Sequence, residues 1–149
     1  MKKCPWLPLL TLSVASLAIF ATATRYDFLV NWDDREYVTE NPSIQGLTLD
    51  HVASAFLRIH IGNYAPLHLI SYMADYEIWG LRPSGFILDN ILLHTVNGLL
   101  LFLLLRRLSG DKPWILLASL LFLLHPVQVE SVVWVSQRKN LLAMLFFLA

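Results

Sequence analysis

A chain of 149 residues with 56% hydrophobic residues, 15% charged residues and a mean hydropathy of +0.57 is too apolar for a soluble domain and fits a membrane protein. Eleven Lys and Arg balance eleven Asp and Glu, so no global basic field exists to attract nucleic acid. Cys4 is the single cysteine, which excludes an intrachain disulfide and a cysteine-based metal cluster.

Residues 5–23 are apolar behind Lys2 and Lys3, close to the roughly 20 residues a spanning helix needs. The same residues also fit a signal peptide cleaved after Ala21-Thr22-Ala23. Residues 24–85 are polar, with eight acids against four arginines. That acidic excess, set between Lys2-Lys3 and Arg106-Arg107, predicts an extracytoplasmic loop. Within it Leu49, Val52, Ala53 and Phe56 follow Thr48, a candidate N-cap, at helical spacing. Leu67, Ile70, Ser71, Ala74 and Ile78 repeat the pattern less cleanly. Both stretches predict amphipathic helices lying along a membrane surface, with a small folded extramembrane domain as the alternative.

Residues 86–105 predict the clearest span, followed by a cytoplasmic turn over 106–112. Asn90, His94 and Asn97 fall on one face of that span, with Asp89 beside them. Polar groups at membrane depth are costly in lipid, so the stripe is expected to face a helix bundle. Residues 113–135 predict a broken or kinked span, because the apolar run stops after 12 residues and Pro126 follows His125. Glu130 then stands either near the interface or in a hydrated site. Arg138 and Lys139 emerge on the outer side against the charge rule, where two cations could hold a phosphate or anchor lipid headgroups. Residues 140–149 predict the start of a further span, cut short, as in a truncated reading frame or a deliberate fragment.

Several patterns then coincide in order: Trp32-Asp33-Asp34-Arg35-Glu36-Tyr37-Val38 with Asn41-Pro42, Tyr64-Ala65-Pro66-Leu67, Trp79-Gly80-Leu81-Arg82-Pro83, Asn90 to His94 with Asn97, and His125 to Val135 with Arg138-Lys139. This resembles the N-terminal part of the transmembrane and tetratricopeptide-repeat O-mannosyltransferases and their bacterial relatives, membrane glycosyltransferases of the GT-C class. The resemblance covers nearly all of 26–149 and favours a retained first helix. It implies an all-α integral membrane fold, the N-terminal fragment of a multi-helix bundle with a long extracytoplasmic first loop. It also implies a polyprenyl- or dolichyl-phosphate sugar as donor, a protein or glycan hydroxyl as acceptor, and a membrane setting, here a bacterial inner membrane with the loop periplasmic.

A hydroxyl is a poor nucleophile, and a carboxylate within hydrogen-bond reach can take its proton during attack on the anomeric carbon. The lipid phosphate that leaves needs cations placed in advance. The resemblance implies an acidic motif in the first loop, and Asp33 and Asp34 occupy that place as the candidate catalytic pair: Asp33, or alternatively Asp34, is the base, and the other orients the acceptor or a divalent ion, if one is used. Glu130, Arg138, Lys139, His94 and His125 are the candidate substrate-binding residues. The competing structural role for Asp33 and Asp34 is to cap a turn before Tyr37. The chain departs from the family pattern at Ala65, where a basic residue is common, and at Gln137 and Asn140, where acids are common. A fragment of this size is expected to be inactive alone, and the competing reading is a non-enzymatic membrane adaptor that binds a partner through its acidic loop.

Overall fold

The computed structural model describes residues 6–149. Lys2, Lys3, Cys4 and the start of the first expected span at 5 lie outside the described residues. Among those described, all regular structure is helical: α1 Leu7–Phe20, α2 Leu49–Leu57, α3 Pro66–Trp79, α4 Pro83–Ser109, α5 Pro113–Leu124, α6 Gln128–Val133 and α7 Arg138–Leu148. A 3-10 turn, Ala21–Arg25, prolongs α1. The segment Leu7–Arg25 and helix α4 are long and apolar enough to cross a membrane, at 19 and 27 residues, or about 28 and 40 Å.

Helix α4 begins earlier and ends later than the expected 86–105. Pro83 sits in its first turn, where an N–H is not needed, and Gly110 stops it at φ 77°, a left-handed conformation that favours glycine. Arg106 and Arg107 therefore belong to the last helical turn, where cations suit the helix dipole, and the expected turn over 106–112 shrinks to its second half.

The long segment between α1 and α4 is largely folded. Thr48 caps α2 as its sequence predicts, its hydroxyl accepting from the His51 N–H at 3.2 Å. Leu49 and Leu57 of α2 are 89% and 83% exposed, so little of its apolar surface is used inside the bundle. Helix α3 turns inward a different face from the expected one: His68, Leu69, Tyr72, Met73 and Asp75 are buried, while Leu67 and Ile78 are exposed.

The expected break in 113–135 falls at His125-Pro126. Pro126 has no N–H to give the Phe122 carbonyl, and the Val127 N–H turns to His125 Nδ1 rather than to the Leu123 carbonyl. A carbonyl left open inside a bundle must find another donor. The α4 stripe supplies it. His94 Nε2 lies 3.0 Å from the Leu123 carbonyl, Asn90 Nδ2 donates to the Val132 carbonyl at 3.2 Å, and Asn97 Nδ2 donates to the Leu141 carbonyl at 2.9 Å. One polar face of α4 thus pins α5, α6 and α7. On the α1 side, Thr95 spends its hydroxyl proton on the Ile91 carbonyl and receives one from Ser16 at 2.9 Å.

Close packing accompanies these bonds. A Cβ added at Gly98 would lie 2.3 Å from the side chain of Leu123, which is fully buried. Gly98→Val is therefore expected to destabilise the bundle by about 1–3 kcal/mol, read by denaturant titration in micelles. Unchanged stability would mean that α4 and α5 do not meet at this distance.

Candidate functional site

Asp34 meets Ser136, two residues before Arg138, where the segment after α1 packs on the junction of α6 and α7. Asp34 is 1% exposed and fully engaged: Oδ2 accepts from the Leu29 N–H at 2.9 Å, and Oδ1 accepts from the Ser136 N–H at 2.8 Å and from the Ser136 hydroxyl. Its side chain does not cap the adjoining π-turn, Arg35–Thr39. Instead it fastens the segment after α1 to the junction of α6 and α7. Asp33, one residue earlier, is half-buried and lines an open pocket of about 430 Å³ with Val30, Asn31, Trp32, Arg35 and Glu36. The edge of that region is fixed by a T-shaped contact between Trp32 and Trp134 at 5.2 Å.

Arg138 and Lys139 separate in the same way. Arg138 is 1% exposed, its Nε donating to Asn90 Oδ1 at 2.7 Å, Nη2 to the Phe86 carbonyl at 2.8 Å and Nη1 to Ser71 Oγ at 3.3 Å. Its guanidinium is ion-paired with Asp75 at 2.5 Å and lies 4.8 Å from the Tyr72 ring centroid. Those bonds brace α3, α4 and α7, so Arg138 is turned inward and is committed before any phosphate arrives. Breaking one partner of such a buried pair leaves an uncompensated charge, which costs far more than the pair itself contributes. Lys139 stays half-buried, with Nζ 6.0 Å from the Tyr37 ring.

Lys139 also lines an open groove of about 280 Å³ with Tyr64, Ala65, Pro66, Leu67, His68, Leu142 and Phe146. The Tyr72 hydroxyl has one proton and gives it to the Val135 carbonyl at 2.7 Å, so His68 Nε2, 2.6 Å away, must be the donor in the second bond. Burial holds the Tyr72 phenol protonated, well above its ordinary value. His68 Nδ1 then carries a lone pair and has no protein partner. Burial, with Arg138 and Lys139 adding to it, lowers the His68 pKa to about 3, so the ring is neutral near pH 7.

Asp75, Tyr72 and His68 escaped the sequence reading, which counted Asp75 only as loop charge. Their i, i+4, i+7 spacing was the available signal, a polar stripe on α3 facing the one on α4. Burial pushes the Asp75 carboxyl up to about 7, although Arg138 pulls the other way.

The remaining candidates lie elsewhere. His94 is fully buried against Leu123 and serves the break in α5 and α6. His125 is exposed at that break, and Glu130 is exposed on α6; neither lines the Asp33 pocket or the Lys139 groove. Two departures from the family pattern satisfy each other, Asn140 Nδ2 donating to Gln137 Oε1 at 2.9 Å. Among the described residues no group of three or more His, Cys, Asp and Glu is arranged to hold a metal ion. Asp34 already accepts three hydrogen bonds, so the two aspartates do not form a paired cation site.

The chain is 30% identical over 143 residues to Protein O-mannosyl-transferase TMTC2 of Mus musculus, covering 91% of this chain and 17% of that protein. It is 33% identical over 159 residues to Protein O-mannosyl-transferase TMTC4 of Homo sapiens, covering 92% and 22%. To TMTC3 of Mus musculus it is 37% identical over 87 residues, covering 58% and 9%. The chain belongs to the TMTC family. It is a membrane protein, and it spans about a fifth of the length of TMTC2 and TMTC4. These relatives are animal proteins and lend no support to a bacterial inner membrane. No family model and no solved structure matches.

The two perturbed groups on α3 oppose each other. The folded-state pKa of His68 is below its ordinary 6.5, so the unfolded chain binds the extra proton and stability rises with pH from about 3 to 6.5. The folded-state pKa of Asp75 is above its ordinary 3.8, so the native state holds the extra proton and stability falls as pH rises from about 4 to 7. Relative to the parent chain, Asp75→Asn is expected to gain stability as pH climbs from 4 to 7, and His68→Gln to lose it. Thermal unfolding in micelles across that range checks both slopes, and parallel curves for all three proteins would refute the assignment.

Proposed function

We propose that this chain contributes the donor and acceptor subsites of a membrane glycosyltransferase of GT-C type, which moves a sugar from a polyprenyl-phosphate carrier to a hydroxyl on the extracytoplasmic face. The observation that carries the reading is that each adjacent pair buries one charge, Asp34 or Arg138, and leaves its neighbour, Asp33 or Lys139, lining an open pocket. Asp33 opens into a polar pocket beside Trp32, suited to an acceptor hydroxyl and its peptide or glycan. Lys139 stands in an apolar groove, suited to a phosphate followed by an isoprenoid chain.

On this reading Asp33 takes the proton of the acceptor hydroxyl as its oxygen attacks the anomeric carbon. The carbon–oxygen bond to the lipid phosphate breaks, and the Lys139 ammonium offsets the charge that grows on the leaving oxygen. Asp34 and Arg138 act as positioning residues, holding the two segments together. Accessible apolar residues on α2 fit contact with the bilayer surface, and the names of the relatives support mannose as the transferred sugar.

In a transfer-competent protein that contains this segment, Asp33→Asn is expected to lower transfer by about 10²–10⁴-fold while leaving donor binding intact. Lys139→Ala is expected to weaken binding of the polyprenyl-phosphate sugar without unfolding the chain. Radiolabelled donor, with binding and transfer measured separately in nanodiscs, tests both. Full transfer by Asp33→Asn would remove the mechanism.

A further inference from the structure

A cavity of about 160 Å³ lies between α4, α5, α6 and α7, lined by His94, Asn97, Phe122, Gln128, Ser131, Asn140, Leu141 and Met144. Its α7 wall is formed by Asn140, Leu141 and Met144, whereas Lys139 and Leu142 line the groove described above. Two of its polar atoms have their character fixed by partners elsewhere. The Leu123 carbonyl can only accept, so His94 Nε2 carries the ring proton and Nδ1 presents a lone pair. The Leu141 carbonyl can only accept as well, so the Asn97 amide nitrogen points there and Oδ1 is left as an acceptor.

His94 and Asn97 are fully buried, and neither His94 Nδ1 nor Asn97 Oδ1 has a protein partner. A buried acceptor without a donor has lost its hydration and gained nothing in return. Both losses are offset by a ligand that brings two donors. No carboxylate lines the cavity, so nothing there favours a cation over a neutral group. Gln128, Ser131 and Asn140 add amide and hydroxyl groups around the same space, the chemistry that recognises vicinal hydroxyls. The volume corresponds to about five waters at roughly 30 Å³ each, enough for a single sugar ring.

We propose that this cavity is a second binding site, for a neutral polyhydroxylated ligand of monosaccharide size whose hydroxyl protons are donated to His94 Nδ1 and Asn97 Oδ1. The site rests on the helix break and on α4, and does not require Asp33 or Lys139 to be catalytic.

The test is nitrogen NMR of the chain in micelles with ¹⁵N-labelled histidine, the His94 signals being identified by their loss in His94→Gln. D-Mannose is the probe. Titration is expected to shift the Nδ1 resonance saturably, with a Kd on the order of 1 mM, while the Nε2–H resonance stays in place. Ser131→Leu, which adds apolar bulk to the cavity wall without altering either acceptor residue, is expected to abolish the shift while leaving the Nε2–H resonance as in the parent. An Nδ1 signal that mannose does not move would mean that water alone fills the cavity, and would overturn the proposal. An equal shift in Ser131→Leu would place the sugar elsewhere and overturn it too.

Discussion

A helix broken by proline leaves backbone carbonyls that need other donors, and the structure answers with side chains from α4. Pro126 interrupts the α5–α6 run, Asn90 and His94 of α4 reach across to the carbonyls of Val132 and Leu123, and Asn97 on the same face ties in Leu141 of α7. The three residues occupy successive turns of one face, so a single rigid helix fixes the spacing of three shorter ones. Asn90 does this twice over, because its oxygen also receives Arg138. Small residues let the helices approach closely enough for such bonds, as Gly98 does beneath Leu123.

The candidate site follows from the same arrangement. In each of the adjacent pairs, Asp33-Asp34 and Arg138-Lys139, one charge is turned inward and becomes a brace while its neighbour faces a pocket. The inward charges are matched by dedicated partners: Ser136 and the Leu29 amide for Asp34, Asp75 and α4 for Arg138. Backbone direction at the ends of α6 and α7 is thereby fixed by side chains distant in sequence. That is how short flanking segments can hold Asp33 and Lys139 in place without a sheet behind them.

Much of the helical layout was legible in the sequence because periodicity and proline position act locally. Thr48, Pro83, Pro113 and Pro126 mark helix starts or breaks by the groups they offer or lack. The α4 stripe was legible too, as a face that lipid would not tolerate. The inner face of α3 was not, because its apolar repeat is weak and its buried residues include His68, Tyr72 and Asp75, a polar chain that ends on the Val135 carbonyl and on Arg138. Nor does a dipeptide of like residues say which member is buried: besides the nearby Leu29 amide, Asp34 is held by Ser136, 102 positions away. The inward turn of Arg138 was hidden for the same reason, since it depends on Asp75 and Asn90 meeting in space.

That long separation has a consequence for biosynthesis. At about 5–20 residues per second, roughly 5–20 s elapse between translation of Asp34 and of Ser136. The nascent segment after α1 must wait through that interval with its carboxylate still hydrated, and the Asp34 brace closes only once the junction of α6 and α7 has been made.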